Sequence, residues 1–130
     1  MEKTDLSHRD DIARLVTAFY DRIRADVYLG PIFNKHIQDW EAHLCHLTDF
    51  WEHSLFLKGN YTGNPLKAHE SVDAAQGYQI NEQHFGIWLN HWSQTIDSLY
   101  QGPQAEILKL RARKMATHIH IHIFKQRPQG

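Results

Sequence analysis

The spacing of apolar residues constrains this 130-residue chain more than any other feature of its sequence. In several long segments, apolar side chains return every three or four positions, which is the repeat of an amphipathic α-helix. The first segment extends to about Asp26, the second covers about Gln38 to Leu57, the third covers Ile80 to Tyr100, and the last follows Pro103. The pattern predicts an all-α fold in which three or four long helices meet around a shared interior.

The ends of these helices and the segments between them follow from local signals. Ser7 is the expected N-cap of the first helix, and Asp10, three residues later, completes a pattern close to a capping box. Two glycines, two asparagines and a proline predict a loop from Lys58 to Pro65. A short turn of helix is expected from Pro65 to Glu70, and Asp73 to Gln79 is interpreted as a loop.

One segment has the pattern of a strand. Histidine and isoleucine alternate from His118 to Phe124, and strict alternation is typical of a half-buried strand. However, the segment directly continues a helical pattern, and no second strand-like segment is present to pair with it. We therefore predict that it is helical.

Composition indicates a globular chain with a real core. Hydrophobic residues make up 42% and charged residues 22%. The formal charge of -1 gives no basic field for nucleic acid or an anionic membrane. Cys45 has no second cysteine to pair with, no apolar stretch approaches the roughly 20 residues that span a bilayer, and no signal peptide is apparent. We expect one domain over residues 1–130, with its core at about 8–125, in the cytoplasm.

Histidine occurs 11 times, and imidazole is a common metal ligand. His43 and His46 lie three residues apart on one predicted helix, with His53 seven residues further on, and His118 and His122 lie four apart. Such spacing is compatible with zinc, but no carboxylate or cysteine lies at a matching position and no His-Glu-x-x-His motif is present. A haem-free all-α module that binds a metal is therefore kept as an alternative.

Six segments of the chain, in order, resemble the truncated haemoglobins, and within that family its third group. They cover most of residues 10 to 125, and the double-glycine motifs of the other two groups are absent. The resemblance implies a truncated globin fold, a helical sandwich that encloses one haem b. The matching segments are Ala18–Arg24, Leu29–Asn34, Trp40–Leu44, Phe50–Trp51, Tyr61–His69 and His84–Leu89.

The resemblance also implies roles for individual residues. His69 matches the proximal histidine, which is the one protein ligand of the haem iron. Tyr20 and His43 match distal residues, and Trp88 matches the tryptophan that directs its indole N–H at the bound ligand. Three further side chains are expected to contact the haem or wall its pocket: Phe33, Leu47 and Leu66. Two features depart from the group: the segment between His69 and Phe85 is long, and Glu70 stands where an apolar residue is usual.

The function implied by the resemblance is the binding of O2, NO, CO or peroxide. Donation from Tyr20 and Trp88 predicts tight retention of O2, which favours redox chemistry over transport: NO detoxification by dioxygenation, or reduction of peroxide. Turnover then requires an external reductase, because the chain has no flavin or nicotinamide domain. The alternative within the same family is storage or sensing of O2 without turnover.

Overall fold

The computed structural model describes residues 3–57, 63 and 65–128, and in this part of the chain it contains six α-helices and no strand. The all-α prediction is confirmed, and His118 to Phe124 lies inside the last helix. The helices are α1 (Arg9–Ala25), α2 (Gly30–His36), α3 (Trp40–Phe56), α4 (Pro65–Ala75), α5 (Glu82–Leu99) and α6 (Pro103–Gln126).

Four long helices form the two layers of a sandwich. Helix α1 packs against α3, α5 packs against α6, and α1 also packs against α5. Trp92 lies fully buried where they meet, stacked on Trp51 at 4.7 Å between ring centroids and edge-on to Phe19 at 4.9 Å. Its indole N–H donates to the Leu108 carbonyl at 3.2 Å. The core is therefore centred on aromatic rings, and the buried indole N–H of Trp92 has a hydrogen-bond partner.

The start of α1 differs from the prediction that Ser7 is the N-cap with Asp10 as its partner. The N-cap is His8, and the acidic residue that folds back on the helix start is Asp11. The Asp11 carboxylate accepts from the backbone N–H of Ser7 at 2.8 Å and of His8 at 3.3 Å. The prediction was wrong by one position because Ser7 and His8 both precede the helix, and an acidic side chain at N3 reaches both N–H groups.

Helix α4 is longer than the sequence predicted. A short turn was expected to end at Glu70, with a loop from Asp73 to Gln79, but the helix continues to Ala75. It ends where Gly77 adopts a left-handed φ of 67°, a conformation that glycine reaches without the usual steric cost. Within the extension, Asp73 is buried and paired with Arg127, a residue 54 positions away, and no local signal in the sequence indicates that contact.

The predicted loop from Lys58 to Pro65 lies outside the described residues, except for Gly63 and for Pro65, which begins α4. Among the described residues, no helix combines the length and the apolar character needed to cross a bilayer.

Candidate functional site

An apolar cavity of about 340 Å³ lies among α2, α3, α4, α5 and α6. Its volume falls within the range of pockets for small molecules and cofactors, roughly 300–1,000 Å³. Among the residues that the structure describes, 17 line this cavity; 13 of them are apolar and four are histidines. These histidines are His36, His43, His69 and His84. The lining therefore suits a large apolar ligand that also binds imidazole nitrogen.

His69 lines this cavity from α4, and its geometry prepares one ring nitrogen for a metal. Its Nδ1 lies 2.6 Å from the carbonyl oxygen of Pro65, one turn earlier in the helix. Because a carbonyl only accepts, Nδ1 carries the proton and donates, which leaves the lone pair on Nε2. A metal-binding histidine commonly donates its second ring N–H in this way, because the bond fixes both tautomer and orientation.

The protonation state of His69 is consistent with ligation. Burial lowers the pKa of His69, and the hydrogen bond to Pro65 only partly offsets that effect. His69 is an exposed residue whose ring borders the open cavity. With its pKa lowered, the ring is neutral near pH 7 and available as a ligand.

His43 lines the same cavity from α3. Burial lowers its pKa, and the charges of His46 and His69 lower it further, so this ring is also neutral near pH 7. Its Nε2 is buried and has no hydrogen-bond partner in the part of the chain that the structure describes. The ring packs edge-on against Tyr20 at 5.6 Å and Trp40 at 5.7 Å. An unpartnered buried nitrogen in a cavity wall is uncommon and points to a ligand.

Trp88 lies in the cavity wall and Tyr20 lies directly behind it. Trp88 lines the cavity from α5, whereas Tyr20, on α1 and only 6% exposed, lies behind the wall formed by Phe33 and His43. Burial raises the pKa of the Tyr20 hydroxyl far above its usual value, and an interaction with the Trp88 indole N–H opposes this only in part. The hydroxyl therefore stays protonated and remains a donor.

The corner between α1 and α2 positions Phe33, which lines the cavity and contacts Tyr20 at 5.8 Å between ring centroids. A side chain at Gly30 would place its Cβ 2.6 Å from the Arg24 carbonyl oxygen, so only glycine permits this close approach. Asp26 braces the corner, since its carboxylate accepts from the backbone N–H of Leu29 at 2.9 Å and pairs with His91 of α5 at 2.8 Å.

Leu47 and Leu66 were predicted to wall the pocket but, like Tyr20, they do not line the cavity. Leu47 is half-buried and packs against the core, and Leu66 is 36% exposed near the start of α4. Conversely, His36 and His84 line the cavity and were not singled out from the sequence. Helical spacing would have indicated both, because His36 follows Phe33 by three residues and His84 precedes Trp88 by four.

The zinc alternative has no structural support among the described residues, which contain no group of three or more histidine, cysteine or acidic side chains placed to hold a metal ion.

His122 contacts the Glu70 carboxylate at 3.2 Å. Glu70, the unusual neighbour of His69, is thus engaged by α6.

The residues around the cavity fit haem. Its apolar walls match a porphyrin, His69 offers Nε2 to the iron, and the buried Nε2 of His43 lies in a wall beside two further donors, Tyr20 and Trp88. The predicted proximal and distal residues therefore lie in or directly behind the wall of one cavity, although they come from four helices.

Comparison with known proteins finds similarity to truncated haemoglobins. No family model matches the chain. The chain is 29% identical over 127 residues to the group 3 truncated haemoglobin ctb of Campylobacter jejuni, covering 95% of this chain and 96% of that protein. The crystal structure of a group III truncated haemoglobin from C. jejuni superposes with a TM-score of 0.85 at 29% identity, covering 98% of this chain and 100% of the other.

A second solved structure shows the fold alone. The 2/2 haemoglobin of Synechococcus sp. PCC 7002 superposes with a TM-score of 0.72 at 15% identity, covering 93% of this chain and 95% of that one.

Proposed function

We propose that this chain, which belongs to group III of the truncated haemoglobins, holds its haem b through His69 and uses Tyr20, Trp88 and His43 to retain and activate a small ligand. Members of this family bind haem and, through it, diatomic gases. One observation supports the residue assignment above the others. The Nδ1 of His69 is tied to a backbone carbonyl, so Nε2 faces a cavity that also borders the donors of α3 and α5.

The proximal role of His69 rests on that tie. With Nδ1–H held by Pro65, the neutral ring has one tautomer and one free lone pair. The hydrogen bond also restrains rotation of the imidazole, so little ordering entropy remains to be lost on ligation.

The distal role of Tyr20 and Trp88 follows from their protonation and burial. Haem, when bound, would supply an iron centre that binds O2, NO, CO or peroxide and at which O2, NO or peroxide could react. The Tyr20 hydroxyl stays protonated, and the Trp88 indole can only donate. Each donor is expected to contribute about 1.5–3 kcal/mol toward a ligand that carries partial negative charge. Together they predict an O2 complex that dissociates roughly two to four powers of ten more slowly than in an apolar pocket.

Such retention favours redox chemistry over transport, because a carrier has to release its ligand. We infer NO dioxygenation or peroxide reduction, in which the same donors polarise the O–O bond and the free nitrogen of His43 accepts or delivers a proton. We infer that an external reductase restores the iron after each turnover. Storage or sensing without turnover is the competing outcome of the test below.

Ligation is tested by adding haem to the protein and recording the Soret band and the haem affinity. The wild type is expected to bind haem tightly, His69→Ala weakly and with an altered spectrum, and the exposed His118→Ala as the wild type does. Turnover is tested by mixing the O2 complex with NO in a stopped-flow instrument. Rapid oxidation of the iron with stoichiometric nitrate supports dioxygenation, whereas slow reaction limited by O2 release supports storage.

A further inference from the structure

Helix α4, which bears His69, contacts the rest of the protein mainly through α6. Ala68, His69 and Val72 line the cavity, so this side of the helix faces the space for the ligand. Asp73 is the buried residue of α4, with 2% of its surface exposed. The one fully buried attachment of the helix to other protein groups is therefore a carboxylate.

The partner of that carboxylate is Arg127, which directly follows α6. The guanidinium donates from Nε to one oxygen of Asp73 at 3.0 Å and from Nη2 to the other at 2.9 Å, so both carboxylate oxygens are engaged by a single planar group. Arg127 also donates to the backbone carbonyl of Ile80, whose side chain lines the cavity. One arginine thus holds the end of α4 and the segment that follows it.

The position of Asp73 on α4 connects this contact to His69. The two residues lie four apart, so their side chains share a face of the helix, and Val72 on the same side lines the cavity. The contact at Asp73 opposes rotation of α4 about its own axis. Because such a rotation would turn the imidazole away from the cavity, the contact orients the His69 side chain.

We propose that Arg127 is a positioning residue for haem ligation: by clamping Asp73 and the Ile80 carbonyl, it fixes the orientation of the His69 imidazole toward the iron. This inference rests on the proposed role of His69. The rest of α4 has separate contacts, from Glu70 to His122 at 3.2 Å and from Gln76 to His36 at 2.9 Å. Loss of Arg127 is therefore expected to misalign the helix and leave it folded.

The test compares three variants of the haem-loaded full chain. Arg127→Gln removes both the charge and the planar guanidinium group. Arg127→Lys keeps the charge but cannot donate to both carboxylate oxygens in the same plane. Lys125→Gln, at an exposed position two residues earlier, makes the same change of charge away from Asp73. Two quantities are measured: the iron–imidazole stretching band of the ferrous protein by resonance Raman, and the rate of haem transfer to excess apomyoglobin.

We expect Arg127→Gln to shift the iron–imidazole band and to release haem about tenfold faster or more, which is the usual effect of losing a residue that orients a metal ligand. Arg127→Lys should show an intermediate effect, and Lys125→Gln should match the wild type. An unchanged band and an unchanged release rate in Arg127→Gln would overturn the proposal, as would a lowered melting temperature with both other quantities unchanged.

Two further outcomes keep this inference separate from the assignment of His69. A wild type without any iron–imidazole band would refute the assignment itself. If Arg127→Gln leaves Asp73 unpaired and unfolds the protein, the double variant Asp73→Asn/Arg127→Gln, which buries no lone charge, replaces it. Fast haem release from that folded double variant supports the clamp, and release at the wild-type rate contradicts it.

Discussion

Replacing Tyr20 with phenylalanine removes a buried hydroxyl without changing the aromatic packing around it, and it is expected to speed O2 release. The Tyr20 ring contacts Phe19 at 4.8 Å and Phe33 at 5.8 Å between centroids, and both contacts survive the substitution. The hydroxyl stays protonated because burial raises its pKa. Loss of one donor worth about 1.5–3 kcal/mol predicts O2 dissociation that is about ten to 150 times faster.

Trp88 modifies this expectation because its indole N–H interacts with the Tyr20 hydroxyl. Once the hydroxyl is gone, the indole is released to donate to the ligand alone, and it partly compensates. The effects of Tyr20→Phe and Trp88→Phe on O2 release should therefore be non-additive, with a coupling energy of about 0.5–3 kcal/mol in a double-mutant cycle.

The assay is displacement of O2 by CO, followed by stopped-flow absorbance. Tyr100→Phe is the matched control: this tyrosine is also buried, at 3% exposure, but its hydroxyl donates to the Asp11 carbonyl, away from the cavity. It should release O2 at the wild-type rate. If Tyr20→Phe and the double variant also release O2 at the wild-type rate, donation from these residues does not hold the ligand and the case for redox chemistry is lost.

Three other substitutions test single features of the fold. His43→Leu should raise the free energy of unfolding by about 1 kcal/mol, because it removes a buried nitrogen that has no hydrogen-bond partner, and it should also change ligand kinetics. If urea unfolding shows the variant to be less stable, Nε2 of His43 has a partner. Burial raises the pKa of Asp26, but hydrogen bonds from His91 and two backbone N–H groups outweigh it and lower the pKa overall. The Asp26 carboxylate therefore stabilises the fold at a pH above the usual pKa of an aspartate, and this stabilisation is lost as the pH falls through the lowered pKa. At pH 7, Asp26→Asn should lower the free energy of unfolding by about 1.5–3 kcal/mol, and in acid its stability should converge with that of the wild type. A stability difference that is constant at all pH values would contradict this. Gly30→Ala should lower the melting temperature, at a cost of about 1–3 kcal/mol for its clash with a backbone carbonyl, whereas Gly86→Ala, with nothing near its added carbon, should be neutral or stabilising in the same circular dichroism experiment.

The long helices could be predicted from the sequence because their apolar positions are local and periodic. In α1, every apolar residue that keeps the 3.6-residue rhythm is buried, among them Leu15, Phe19 and Ile23. The alternation from His118 to Phe124 was correctly interpreted as helix, because the absence of a pairing segment outweighs a two-residue repeat. A segment that continues a long helical pattern is therefore better predicted from that pattern than from a short alternation of residue types within it.

Long-range contacts mark the limit of such predictions. Near the end of α4, Asp73 pairs with Arg127, which is 54 residues away, and local propensity alone predicted a loop there. Leu66 is apolar and lies on α4, the helix that bears His69, yet it lies outside the cavity lining, because the direction of a helix face follows from packing. His69 itself was identified through the resemblance to a family, since one histidine on a short element has no pattern of its own.

If Nε2 of His69 is the protein ligand of the haem iron, replacing His69 with glycine removes that ligand. The substitution leaves a space in which free imidazole can take the place of the side chain beside the iron. We expect the variant to lose tight haem binding and the wild-type absorption spectrum, and we expect added imidazole to restore both. A His69→Gly protein that holds haem with the wild-type spectrum and affinity, in the absence of imidazole, would contradict this expectation.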